Sequence, residues 1–297
     1  MFIDTHCHLN FKAFTGGEEK IIRRAHQAEV DKIIVPGTDM VTSEKAVSIA
    51  QQNPDVYAVV GIHPHHAVQY QGGRPERNIS DDMSQIERWL NDPKVVGIGE
   101  IGLDRHSYRT SRYGNLISIS DELLEIQKTL FNRQVEIAVK HRKSIVIHNR
   151  EAVHDLVMLC QSLKERLLVL KGRGVLHCCE PDTRLLELAE DVGFSIGVDG
   201  DVTYSTEKQD FIRNVPLELL VLETDAPYLL PEPLRTAKKY PNVPANIPLI
   251  AEAVARIKEV DVSKVALITT QNAIRLFHLP KYEGEYHSEK KPRNHAI

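Results

Sequence analysis

Short runs of apolar residues recur along the chain, and each is followed by a segment with the apolar spacing of a helix. The runs are nearly continuous rather than alternating, which is typical of parallel strands that are buried on both faces of a sheet. They predict strands at Phe2–Thr5, Lys32–Gly37, Val56–His63, Lys94–Leu103, Ser144–His148, Gly174–His177, Phe194–Val198 and Leu219–Glu223.

The intervening segments repeat apolar residues every three to four positions, as amphipathic helices do. The clearest helices are predicted over Glu19–Ala28, Leu123–His141, Thr183–Glu190 and Leu249–Lys258, and a capped helix start is predicted at Ser80–Asp82. Alternation of strand and helix over the whole chain predicts a TIM barrel, (β/α)8, of the α/β class. We expect one barrel domain over residues 1–280 and a polar C-terminal tail over residues 281–297.

Two polar segments depart from a minimal barrel. Tyr70–Asn78 is predicted to form a loop after the third strand, and Leu230–Pro248 is a proline-rich, partly basic loop after the eighth. The latter carries Arg235, Lys238 and Lys239, which together with Arg150 are candidate contacts for a phosphate backbone. We see no cluster of aromatic residues suited to base stacking, so sequence-specific recognition is not expected.

Composition narrows the class of protein. The net charge of −4 argues against a protein that coats nucleic acid, so a phosphate substrate would have to be attracted by local cations or a metal. No apolar run approaches the ~20 residues of a membrane span, and the N-terminus does not resemble a signal peptide. The four cysteines show no disulfide-rich spacing. We expect a cytoplasmic protein with no membrane partner and favour a monomer.

Side chains that can bind metals stand at the predicted strand ends. In a barrel, all of these ends lie at one mouth, where barrel enzymes place their sites. The residues are His6 and His8, His63, Glu100 and Asp104, His148, His177 and Asp225.

The spacing of His6 and His8 places both imidazoles on one side of a strand, where they can face one ion. Glu100 follows an apolar stretch, where a carboxylate is costly unless it is paired or metal-bound. Its two oxygens could bridge two ions. The sequence therefore predicts a metal site in which Glu100 is central.

His148 and His177 end neighbouring strands and predict a second metal subsite. Asp225 is predicted to be a metal ligand or the base that activates water, and His63 to contact a substrate phosphate or to orient a neighbour. Imidazole and carboxylate ligands suit two divalent ions, Mg²⁺, Mn²⁺ or Zn²⁺. Such ions make a water nucleophilic near neutral pH, which indicates a hydrolase.

Six short motifs in this order resemble the TatD family of metal-dependent hydrolases and deoxyribonucleases. The motifs are Phe2–Leu9, Gly61–His65, Gly99–Asp104, Val146–Arg150, Glu223–Leu229 and Asn272–Phe277. The resemblance covers about residues 1 to 279 and implies 3′→5′ exonuclease-type cleavage of phosphodiesters, with single-stranded DNA as the favoured substrate.

The resemblance also implies roles for individual residues. His6, His8, Glu100 and Asp225 would hold one ion, and Glu100, His148 and His177 the other. Catalysis would rest on Asp225, Glu100 and His63, and substrate phosphate would be contacted by His63. Arg150 and Arg235 are added as phosphate contacts because they flank the mouth in an acidic protein.

The chain departs from the family pattern in three places, one of which is a somewhat extended loop after the third strand. After His177 it continues Cys178-Cys179-Glu180-Pro181, and strand alternation would put Cys179 on the side of His177, although a packed cysteine is the favoured interpretation. After the seventh strand, Asp199 and Asp201 add carboxylates that would repel phosphate or recruit a further cation.

Three alternative functions remain open. An amidohydrolase or lactonase would use a similar site, but many of these enzymes bridge their metals with a modified lysine, and Glu100 needs no such modification. A deacylase of mischarged tRNA would use the same metal site. A barrel that keeps its metal but has lost turnover is disfavoured by the complete ligand set. Assays on lactones, amides and single-stranded DNA would separate these functions.

Overall fold

The computed structural model describes residues 1–73, 77–111 and 114–280. The strands are β1 Phe2–Asp4, β2 Val30–Pro36, β3 Val56–Val60, β4 Val95–Asp104, β5 Tyr108–Ser111, β6 Gly114–Ile117, β7 Ser144–Arg150, β8 Gly174–Leu176, β9 Ser195–Val198 and β10 Leu220–Leu222. The helices are α1 Glu18–Gln27, α2 Met40–Gln52, α3 Ile79–Trp89, α4 Asp121–His141, α5 Val153–Ser162, α6 Lys164–Val169, α7 Thr183–Val192, α8 Thr206–Asn214, α9 Ile247–Lys258 and α10 Val262–Phe277. The predicted tail, 281–297, lies outside the described residues.

Eight strands form one parallel sheet in the order β1-β2-β3-β4-β7-β8-β9-β10. The sheet closes on itself, because the N–H of Thr5 donates to the carbonyl of Leu222 at 3.0 Å and that of His8 to the carbonyl of Ala226 at 2.8 Å. Each of the eight apolar runs overlaps one of these strands. The prediction of a TIM barrel is therefore confirmed.

The core has two layers. The larger lies between the sheet and the surrounding helices. The smaller joins residues from most of the barrel strands, among them Ile3, Tyr57 and Val221, to Leu276 and Phe277 of α10. Helix α10 thus packs against apolar strand residues, and the polar strand ends lie at the other mouth.

The structure differs from the predicted elements in three places. The helix start predicted at Ser80–Asp82 is wrong: α3 begins at Ile79, and the side chain of Asn78 accepts a hydrogen bond from the N–H of Ser80 at 2.8 Å. Part of the predicted loop Tyr70–Asn78 belongs to a 3-10 segment, Pro64–Gly73, and residues 74–76 lie outside the description. The antiparallel pair β5–β6 was not predicted. Among the described helices, none is long and apolar enough to span a membrane.

Candidate metal centre

The predicted strand-end residues meet at one mouth of the barrel. Six of them are buried: His6, His8, His63, Glu100, Asp104 and His177. The strands deliver them there because the carboxyl ends of parallel barrel strands share one face. A carboxylate buried among imidazoles is stable only where positive charge compensates it.

One oxygen of Glu100 faces the histidines of β1. Oε2 lies 3.5 Å from Nε2 of His6 and 3.8 Å from Nε2 of His8. Oδ1 of Asp225 approaches the same two nitrogens, at 3.7 Å and 3.3 Å. Two imidazole nitrogens and two carboxylate oxygens therefore surround one point.

The other oxygen of Glu100 faces a different set of histidines. Oε1 lies 2.8 Å from Nδ1 of His148, 3.3 Å from Nε2 of His63 and 3.6 Å from Nε2 of His177. Nε2 of His148 in turn lies 3.4 Å from Oδ2 of Asp104. Glu100 thus lies between two groups of donor atoms and directs one carboxylate oxygen toward each.

The donor atoms fit divalent ions. The Nε2 atoms of His6 and His8 face each other at 3.2 Å, and the Nδ1 atom of each ring has no hydrogen-bond partner among the described residues. Donor atoms within 4.8 Å of one another occur in the sets His6, Glu100 and His177; His6, His8 and Asp225; and His63, Asp104 and His148. Imidazole and carboxylate sets such as the first two suit Zn²⁺, Mn²⁺ or Mg²⁺.

The pKa values show how strongly the carboxylates attract positive charge. Burial acts to lower the pKa of His148, but hydrogen bonds to Asp104 and Glu100 outweigh it and raise that pKa to about 9. Burial is likewise outweighed at His177, whose pKa is raised to about 10 chiefly by the charges of Glu223 and Glu100. Protonated imidazoles therefore supply the charge that metal ions would supply.

His63 is oriented differently from the other histidines. Its Nδ1 atom accepts a hydrogen bond from the backbone N–H of His65 at 3.0 Å. Burial lowers the pKa of His63, which favours the neutral ring. In that ring the proton is on Nε2, which faces Glu100, so this nitrogen is a hydrogen-bond donor and not a lone pair for a metal.

Glu223 was missed by the sequence analysis. It is buried, and its Oε1 atom lies 3.1 Å from Nδ1 of His177 and accepts the N–H of Cys178 at 2.5 Å. Gly197 on β9 makes room for it, since a Cβ there would lie 2.5 Å from the same oxygen. A glutamate directly after the apolar run Leu220–Leu222 was the available signal.

The geometric expectation for Cys179 is wrong, while the favoured interpretation as a packed cysteine agrees with its burial in the core. Cys178 has a φ of 42°, which breaks strand alternation and turns the following residue away. The sulfur of Cys178, instead, lies within 4.8 Å of donor atoms of His177 and Asp225.

Asp199 and Asp201 are not free anions at the mouth, as the sequence suggested. The ammonium of Lys208, on α8, lies 3.4 Å from an oxygen of each carboxylate and donates to the carbonyl of Cys179 at 2.6 Å. The side chains of Lys208 and Asp199 are both only 1% exposed. The cation that these carboxylates recruit is therefore a residue of the chain itself.

The predicted phosphate contacts lie in different surroundings. Arg150 ends β7, and its Nη1 atom lies 3.5 Å from Oη of Tyr108, which donates to Asp104 at 2.6 Å. Arg235 lies over the ring of Tyr204 at 4.2 Å and pairs with Glu232 at 3.4 Å. Arg150 is thus connected to the donor cluster, whereas Arg235 is engaged by its own loop.

Two aromatic rings lie beside the mouth, which the sequence analysis did not anticipate. Phe11 stacks on His8 with ring centroids 4.1 Å apart, and Tyr228 meets Phe11 edge-on at 6.4 Å. Tyr228 is 53% exposed. The chain turns that follow β1 and β10 bring these rings together, and residues more than 200 positions apart give no local signal of such a pair.

The chain was compared with known families and structures. The sequence model of the TatD related DNase family matches residues 3–278. An uncharacterized metal-dependent hydrolase, YabD of Bacillus subtilis, is 31% identical over 281 residues, with 94% of this chain and 100% of that protein covered. A 3′-5′ ssDNA/RNA exonuclease TatD of Erwinia tasmaniensis is 32% identical over 281 residues, with 93% and 99% covered. The crystal structure of YjjV, a TatD homolog from Escherichia coli K12, superposes with a TM-score of 0.76 at 30% identity, covering 94% of this chain and 98% of that one.

Proposed function

This chain belongs to the TatD family of metal-dependent hydrolases, and from that premise we propose that it removes nucleotides from the 3′ end of single-stranded DNA with two divalent ions. The substrate and direction are those in the name of the Erwinia relative. The observation that carries the proposal is the position of Glu100, whose two carboxylate oxygens face separate groups of donor atoms.

We assign one ion to His6, His8, Glu100 and Asp225, and the second to Glu100, His148 and His177. Asp104 and Glu223 hold the outer nitrogens of His148 and His177, respectively. Such carboxylates fix the ring orientation and raise the basicity of a ligating imidazole. All of these residues come from one chain, so the proposed site is complete in a monomer.

Ions bound there would polarise the scissile phosphate and lower the pKa of a water toward about 7. Asp225 is placed to take the proton of that water, because its side chain is the most exposed of its group, at 15% against 4% for Glu100. Proton transfer by a positioned carboxylate is general base catalysis. The water oxygen would bond to phosphorus as the bond from phosphorus to the 3′ oxygen of the remaining strand breaks, and that oxygen would take up a proton from water.

His63 would donate its Nε2–H to a non-bridging phosphate oxygen, since its Nδ1 atom is occupied by the N–H of His65. A fixed donor aimed at developing negative charge stabilises the transition state. Arg150 lies close enough to the donor cluster, through Tyr108, to bind a neighbouring phosphate.

The test is cleavage of one single-stranded DNA labelled at either end, with Mg²⁺, Mn²⁺ or Zn²⁺ and with a chelator. We expect a 5′ label to give a descending ladder and a 3′ label to be released at once, both only with metal. Asp225→Asn is the inactive control. The proposal would be contradicted if the DNA strand stayed intact while a lactone or an aminoacyl-tRNA was hydrolysed. Shortening of the DNA from its 5′ end would also contradict it.

A further inference from the structure

A groove of about 610 Å³ lies between α1 and the loop after β10. Its lining includes Lys20 and Arg24 from α1, and Lys239, Tyr240 and Asn246 from the loop. Lys20 and Lys239 are far apart in sequence, so only the closed barrel brings these cations together. Lys238, although next to Lys239, is not among the lining residues.

The electrostatics of this groove are unusual for an acidic chain. No carboxylate is among the residues that line it. Within the described parts of the chain, none of Lys20, Arg24 and Lys239 pairs with an acidic side chain. Lys20 and Arg24 lie one helical turn apart, about 6 Å along the axis of α1. A row of uncompensated cations suits a chain of phosphates better than a single anion.

The walls of the groove belong to the segments that follow β1 and β10. Phe11, which stacks on His8, immediately precedes the 3-10 segment Lys12–Phe14, and Phe14 lines the groove. On the other side, the buried Asn242 lies between the lining residues Pro241 and Val243. Its side-chain amide donates to the carbonyl of Thr224 at 2.9 Å, next to Asp225. Through Phe11 and Asn242, the segments that form both walls thus contact residues at or next to the proposed metal centre.

Exposed aromatic rings lie both at the mouth of the barrel and in the groove. Tyr228, 53% exposed, lies at the mouth, and Tyr240, 61% exposed, lies in the groove. Aromatic rings beside a basic track are how proteins bind single strands without sequence preference, because every base has a stackable face. A duplex offers no such unstacked faces along its length.

We propose that this groove binds the backbone of a single-stranded nucleic acid whose 3′ end lies at the metal centre, with Lys20, Arg24 and Lys239 contacting successive phosphates. This inference rests on the proposed nuclease function for the identity of the strand. According to this proposal, the nucleotides that precede the 3′ end lie on the side of the mouth formed by β1 and β10.

The test compares two variants that each lose two positive charges. Lys20→Gln with Arg24→Gln alters the groove. Arg142→Gln with Lys171→Gln is the matched control, because these exposed residues precede β7 and β8 and lie at the opposite end of the barrel. Binding of the metal-loaded proteins to a cleavage-resistant phosphorothioate strand of about 12 nucleotides is followed by fluorescence anisotropy as the salt concentration rises.

Two lost phosphate contacts should reduce the slope of log Kd against log salt by about 1.4, since each contact on a single strand contributes about 0.7. The control should keep the wild-type slope, and cleavage of a dinucleotide, too short to reach the groove, should be unchanged in both variants. A wild-type slope in the groove variant, or an equal reduction in the control, would overturn the proposal. If wild type binds through the groove but cleaves neither substrate, the nuclease function fails while the groove assignment stands.

Discussion

Oε1 of Glu223 lies 3.1 Å from Nδ1 of His177, while the other nitrogen of that ring faces Glu100. The carboxylate therefore fixes which nitrogen of His177 points into the site. Gly197 leaves the space that Glu223 occupies, and a methyl group there would collide with its oxygen. The orientation of this proposed metal ligand therefore depends on residues in or directly after three adjacent strands.

Replacing Glu223 by glutamine should weaken divalent-metal binding by about 10- to 100-fold, because a neutral amide no longer raises the basicity of His177. Calorimetric titration of metal-stripped protein with Mn²⁺ measures the effect. Glu218→Gln, at an exposed position nearby, is the matched control. Equal Mn²⁺ affinities in the two variants would show that Glu223 does not support metal binding.

His63→Ala should lower kcat on single-stranded DNA by about 10²- to 10³-fold, the usual cost of deleting one transition-state donor. The metal content should stay at the wild-type value, because the lone pair of Nδ1 is used by the N–H of His65 and Nε2 carries a proton. Elemental analysis beside steady-state kinetics makes the distinction. A variant that lost an ion would show that His63 is a ligand instead.

Asp225→Asn should reduce turnover by about 10²- to 10⁴-fold, as expected when a general base is lost. The fold should be retained, because Asp225 has a φ of 49° and asparagine adopts the left-handed region readily. Circular dichroism and thermal unfolding monitor the fold. Near-normal turnover with an intact fold would assign the base to another residue.

Lys208→Met should destabilise the protein by about 3–5 kcal/mol at neutral pH, because it leaves the buried carboxylate of Asp199 uncompensated. Burial acts to raise the pKa of Asp199, but the charge of Lys208 outweighs it and holds that pKa below 3.8. A depressed carboxylate pKa stabilises the fold above the unfolded value and ceases to do so as the pH falls through the folded value. The difference from wild type should therefore narrow in acid.

Urea unfolding of Lys208→Met at neutral pH and at pH values below 3.8 checks that trend. Lys164→Met is the control, since Lys164 pairs with Asp191 on the surface at 2.8 Å and should cost less than about 1 kcal/mol. A constant difference across this pH range would mean that Lys208 stabilises the protein through packing and not through charge.

The barrel and the convergence of His6, Glu100, His148 and Asp225 were predictable from sequence. Each stands at or near the end of an apolar run, and closure of a parallel sheet carries every such end to one mouth. The apolar runs were therefore enough to predict that these distant residues meet, because in a barrel the carboxyl ends of all the strands lie at one mouth. The ligand assignment itself remains a proposal that metal analysis must test.

Other features depended on geometry that no local pattern encodes. The left-handed backbone at Cys178 reversed the expected side of Cys179, and Lys208 reaches Asp199 only because of the direction in which α8 leaves its loop. The groove cations Lys20 and Lys239 come from opposite ends of the chain. These contacts could not be predicted from the sequence. They join elements whose relative orientation is known only from the three-dimensional structure.

The central claim is that Glu100 joins two ions, and the most direct measurement is the number of divalent ions per chain in wild type and in Glu100→Gln. We predict two ions for metal-saturated wild-type protein and loss of tight binding at both positions in the variant, because one carboxylate forms part of both donor sets. Two tightly bound ions in a folded Glu100→Gln variant would contradict the account.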